Sequence, residues 1–113
     1  KPRKPRKAGT VMIKFVEVKK INDFNITERK NDIRYELDEV WINPISILQI
    51  RPDVLMERNL ASGLLPSKLD QRQEFSKVHF GAGNNVSVVT VVGAPGLLAD
   101  QVFKISTKQL LKG

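Results

Sequence analysis

The sequence predicts a mainly β (or α+β) fold: a small bent antiparallel sheet, or an SH3-, Sm- or OB-like barrel, with one or two short helices. Three observations predict it. Apolar and polar residues alternate at strand period in five separate stretches. A Gly/Asn linker, Gly81 to Asn85, separates two of them, as a hairpin requires. A chain of 113 residues, 41% of them hydrophobic, makes one cored domain, and five short strands close at this size as a bent sheet or small barrel.

The first stretch is Val11 to Val18, with Ile13 and Phe15 on one face and Lys14 and Val16 on the other. Lys19 and Lys20 lead into a polar segment, 22–32, dense in turn formers, and the reversal is expected at Asn31-Asp32. Ile33 to Asn43 reads as the second strand: Ile33, Tyr35 and Leu37 alternate with Arg34, Glu36 and Asp38. Pro44 lacks a ladder donor and marks a bend. Alternation resumes at Ile45, with Ile45, Ile47 and Gln49 opposite Ser46, Leu48 and Ile50, and ends at Arg51-Pro52.

Asp53 is placed to cap a short helix whose Val54, Leu55, Arg58 and Ala61 lie near helical spacing, ended by Gly63 and Pro66. An irregular loop carrying Leu64 and Leu65 is the other reading, and 53–74 as a whole reads as an insertion between strands. Phe75 to Phe80 and Val86 to Val92 form the hairpin around the Gly/Asn linker. Gly93-Ala94-Pro95-Gly96 breaks the sheet. Leu98, Val102 and Ile105 then share one face of a helix of about two to three turns, and a separate short turn is expected from Ser106.

Val11 to Val18, then Glu39 to Ile50, then a hairpin and a helix at Leu97 to Phe103 resemble the small flagellar FlbD-type family. Asn43, Ile47 and Ile50 carry the likeness, at the spacing Asn-x-x-x-Ile-x-x-Ile. It spans roughly half the chain; residues 22–32, 53–74 and the basic terminus have no counterpart in it. The resemblance implies a small β-rich accessory module without catalytic residues.

Charge is distributed unevenly. The net charge is +7, and Lys1, Arg3, Lys4, Arg6 and Lys7 supply five positive charges with no acid among them. Subtracting those five from 19 leaves 14 Lys+Arg against 12 Asp+Glu, so the body carries only +2. Pro2 and Pro5 keep this terminus out of helix and favour an extended chain. The expectation is a disordered basic arm over residues 1–9 and a single β-rich domain over 10–113. Such an arm binds phosphate by counterion release, or reads a narrow minor groove with Arg3 and Arg6. It lacks the Arg-Gly-Arg-Pro core of an AT-hook, and it equally suits a nuclear-localisation signal. In the body, Lys19-Lys20 and Arg29-Lys30 are the two dense basic pairs, expected to flank one loop and add to the same contact.

The chemistry expected of enzymes is not spelled out. Without cysteine there is no disulfide, thiolate metal site or cysteine nucleophile, which points to a reducing intracellular setting, cytoplasmic or nucleoid/nuclear. His79 is the only histidine and has no partner at motif spacing, so it reads as a sheet residue. Glu36, Asp38 and Glu39 form the nearest acidic cluster, and a solvated strand face explains them better than Mg²⁺. Gly81-Ala82-Gly83 lacks the following helix of a phosphate cradle. Asn25-Ile26-Thr27 and Asn85-Val86-Ser87 match the glycosylation sequon, a pattern short enough to recur by chance. Phe15, Tyr35, Trp41 and Phe80 are candidate stacking platforms but read first as core. No signal-peptide pattern or membrane-length apolar run is visible.

These observations lead to a non-enzymatic nucleic-acid-associated protein, DNA- or RNA-binding, with no catalytic residue, metal or cofactor. The alternative is a protein-binding adaptor or regulatory accessory subunit docking through Leu55, Leu60, Leu64 and Leu65.

Overall fold

A computed structural model describes residues 11–25 and 30–112, with side chains described at 11–22 and 33–105. The arm and Arg29 lie outside the described residues, and Lys30 is described by its backbone alone. The fold is mainly β, a five-stranded antiparallel sheet with two helices. In chain order the elements are β1 (Ile13–Asn25), β2 (Lys30–Ile42), a 3-10 turn (Pro44–Ser46), β3 (Ile47–Pro52), α1 (Val54–Ala61), β4 (Phe75–Ala82), β5 (Asn85–Val92) and α2 (Pro95–Lys112). The strand order is β2-β1-β5-β4-β3, so β2 and β3 are the two edges. Every consecutive strand pair except β2/β3 is hydrogen-bonded, and β1 closes onto β5 through Glu17 and Val91. The result is a cycle opened at one junction, the sheet alternative rather than a closed barrel.

That junction is built locally. Asn43 is extended, as a residue before proline prefers, and its Oδ1 accepts the Ile45 N–H at 2.9 Å. Ser46 donates both its N–H and its hydroxyl to the Asn43 carbonyl. Ile45 and Ser46 thus belong to a 3-10 turn, and the strand resumes only at Ile47. The expected alternation of Ile45, Ile47 and Gln49 also fails. A register shift between Ile47 and Gln49 bulges β3, so Ile47 and Ile50 both pack on the core. The Asn43/Ile47/Ile50 spacing has this local cause: a cap, then two core residues on either side of a bulge.

Two further expectations are corrected. The polar segment 22–32 does not reverse at Asn31-Asp32. Asn31 pairs with Phe24 and Asp32 with Asp23, in a ladder of unbroken register from Ile13↔Ile42 to Asn25↔Lys30. Intrinsically poor strand formers are held there by the partner strand, since β propensity is mostly context. The final helix is one continuous element of 18 residues, not two to three turns followed by a separate turn. Ser106 and Thr107 are weak helix formers but not breakers, and neither Gly nor Pro follows Gly96 before the last residue.

The two sides of the sheet bury different clusters. On one, Leu98 of α2 packs with Ile13 and Phe15 of β1, Ile42 of β2, Val78 of β4 and Val91 of β5, joined by Val102 and Ile105 as the helical spacing predicts. On the other, Met56 and Leu60 of α1 and Leu65 of the following loop pack on Val18 and Phe75. Segment 53–74 therefore supplies core residues. The residues read at helical spacing, Val54, Leu55, Arg58 and Ala61, are all exposed, and the buried stripe is Met56 and Leu60. Both stripes satisfy helical spacing in an eight-residue helix; tertiary packing decides between them.

Candidate nucleic-acid interface

α1 covers only part of its side of the sheet. Asp53 caps the helix: the Met56 N–H donates to Asp53 Oδ1 at 3.0 Å, and the Thr90 hydroxyl donates to Oδ2 at 2.8 Å. This clip fixes the start of α1 over the middle of β5. Past Thr90 the sheet face is uncovered, and Val86 and Val88 stand half-exposed on it.

Register places the residues of that face. Lys77 of β4 pairs with Arg51 of β3 on one side and Thr90 of β5 on the other. The next row on the same face is Gln49, His79 and Val88. Arg51, Lys77 and Gln49 are exposed. Two cations directly opposite one another across a ladder repel, at a cost of a few tenths of a kcal/mol. Among the described residues neither has an ion-pair partner. Asp53 borders the face, but it is buried and both its oxygens are engaged. His79 is partly buried, and its Nδ1 has no hydrogen-bond partner.

The basic residues singled out from sequence are scattered by the strand geometry. Lys19 and Lys20 lie within β1, paired with Glu36 and Tyr35, several residues from the end of the β1/β2 ladder, so they do not flank its turn. As neighbours in a strand they leave opposite faces. Lys19 Nζ is 3.5 Å from Asp38 Oδ2, while Lys20 is exposed and among the described residues has no ion pair. Lys14 is similarly engaged, 3.4 Å from Glu39 Oε2. These two pairs also absorb Asp38 and Glu39, which line a shallow open depression with Val16, Leu37 and Lys68. Among the described residues no three His, Asp or Glu side chains come together as metal ligands.

Of the aromatic candidates, Phe15 is buried, Phe80 packs on the core and Tyr35 accepts a hydrogen bond from Asn59 at 3.2 Å. Trp41 alone of the four presents its ring, at 53% exposure. Of the leucines, Leu60 and Leu65 are core, Leu64 is half-buried and Leu55 is 63% exposed. Arg51 and Lys77 were not singled out by sequence, because their meeting depends on the β3/β4 register. The one available signal was Lys77 lying between two apolar positions, Phe75 and Val78, in a strand that otherwise needs no charge.

Among the described residues no helix is long and apolar enough to cross a membrane. Comparison of the chain with protein-family models, with curated proteins and with solved structures finds no match to any of them.

Proposed function

We propose that the protein is a non-enzymatic nucleic-acid-associated module that holds the phosphate backbone with weak sequence specificity, chiefly through Lys1, Arg3, Lys4, Arg6 and Lys7. The observation that carries this reading is the partition of charge: five cations without an acid in seven residues, joined to a body of net +2. Clustered cations on an extended segment displace condensed counterions from a polyanion, and that release drives non-specific binding. The engagement of Lys14 and Lys19 by neighbouring carboxylates supports it indirectly, since it leaves the arm as the largest uncompensated charge in the sequence.

A protein-binding accessory role is the second reading. Ile45 and Leu48, exposed at the edge carrying β3, and exposed Leu55 on α1 favour it, because an open edge accepts a partner strand. The FlbD-type likeness points the same way.

Salt titration of duplex binding by the full chain tests the first reading. Five phosphate contacts give a log–log slope of about −4.5. Replacing all five arm cations by Gln should flatten that slope by the same amount. A full chain that fails to bind either DNA or RNA at low salt rejects the nucleic-acid reading in favour of the accessory one.

A further inference from the structure

We infer that the folded body makes a phosphate contact of its own, in which Arg51 and Lys77 together hold a phosphodiester of a nucleic-acid strand laid across the uncovered face of β3 and β4. This rests on the nucleic-acid reading above and adds to it a contact the arm does not supply. Directly paired residues on neighbouring antiparallel strands have Cα atoms about 4.5–5.5 Å apart, and their side chains leave the same face. The side chains of Arg51 and Lys77 therefore leave the sheet next to one another on one face, within reach of a single phosphate.

Lys14, Lys19 and Arg72 each have a carboxylate within 3.5 Å. Arg51 and Lys77 have none among the described residues, and the bordering Asp53 is already committed to Met56 and Thr90. Lys20, Arg58, Lys68 and Lys104 also have no ion pair among the described residues, but only Arg51 and Lys77 face one another as cross-strand partners. An anion seated between them turns a repulsive pair into two charge-assisted contacts, with the planar fork of arginine and the point charge of lysine both suited to phosphate oxygens.

The shape of the site selects the kind of anion. Beyond the start of α1 the face is exposed at Gln49, Val86 and Val88, which suits an extended polyanion passing over it rather than a small ion held in a cavity. Gln49, exposed beside Arg51, adds a neutral donor for a phosphate or sugar oxygen. Half-exposed Val86 and Val88 add apolar surface free of negative charge. Lys20, on the α1 side of β1 with Val18, is a further exposed cation on this side of the sheet.

The test uses the full chain and a twelve-residue oligothymidylate. In ¹⁵N NMR titration, amides at Gln49, Arg51, Lys77 and His79 should shift in addition to those of the arm. By fluorescence anisotropy, Arg51→Gln/Lys77→Gln should make the log–log salt slope shallower by about 1.4, two contacts at about 0.7 each on a single strand. Each single variant should contribute half. Lys104→Gln, which removes an exposed cation from α2 on the opposite side of the sheet, should leave the slope unchanged. Shifts confined to the arm, with an unchanged slope in the Arg51/Lys77 variants, overturn this inference while the arm reading stands. Absence of any binding at low salt overturns both.

Discussion

Replacing Asp53 by Ala removes two bonds that tie α1 to the sheet, and its cost can be worked from the geometry. Loss of an N-cap acceptor costs about 1 kcal/mol. Loss of the charge-assisted bond from Thr90, 2.8 Å long and shielded by a residue 4% exposed, adds about 1.5–3 kcal/mol. Together Asp53→Ala should lose about 2.5–4 kcal/mol in urea unfolding, seen as a lower midpoint at constant slope. Thr90→Val should lose about 1.5–3 kcal/mol, because it leaves a buried carboxylate oxygen without its partner. The double variant should cost about 1–2 kcal/mol less than the sum, the signature of a shared interaction. Asp53→Asn should be mild, since its carboxamide oxygen can still cap and its NH₂ can donate to Thr90. A loss below about 0.5 kcal/mol for Asp53→Ala, or strict additivity with Thr90→Val, would refute the clip.

The remaining expectations concern the hairpin, the helix face and one carboxylate. Gly81 has φ +140, and a Cβ there would collide with the Asn85 carbonyl oxygen, whereas Gly83, at φ +58 in the turn, has open space around it. Gly81→Ala should therefore cost at least about 3 kcal/mol and Gly83→Ala only about 1, compared by thermal unfolding. Leu60→Ala should cost about 2–5 kcal/mol and Leu55→Ala less than about 0.5, a contrast that reads the orientation of α1 directly. Arg72 donates side-chain and backbone hydrogen bonds to Asp70 and holds its carboxyl below the usual aspartate range. The sign is that of a depressed acid: the bond favours the fold at neutral pH and fades as pH falls through the lowered value. Asp70 is solvent-exposed, so the readout is its own NMR titration midpoint, which should rise toward the ordinary value in Arg72→Ala but stay below it, because the backbone N–H of residue 72 still donates to Asp70.

Strand identity was readable wherever apolar alternation coincided with burial. Ile13 and Phe15, the β4/β5 hairpin and the Leu98/Val102/Ile105 stripe all follow from periodicity alone. The outer part of the β1/β2 ribbon was not readable, because Asn22, Asp23 and Asn25 are strand only by virtue of their partners. In α1, two stripes fitted eight residues equally, and only contact with Phe75 and Val18 selects Met56 and Leu60. The candidate interface shows the same divide. The cationic arm is a property of the sequence, whereas Arg51 opposite Lys77 is a property of register between strands separated by α1 and a long loop.

The sheet is two locally formed pieces meeting at a narrow seam. The β1/β2 ladder and the β3–β4–β5 meander are each assembled from neighbours in the chain, and the one ladder pair described between them is Glu17↔Val91. Folding must therefore bring together two nearly complete halves across most of the chain's length, a late and entropically costly closure. Leu98 bridges the seam, touching the cluster that contains Ile13 and Phe15 on one side and Val78 and Val91 on the other. In native-state hydrogen exchange the seam amides should open below the global unfolding free energy, and detachment of α2 should lower that opening further. Once open, β1 and β5 are two unprotected edges of matching register, so the same seam that completes the monomer is where two chains would exchange halves.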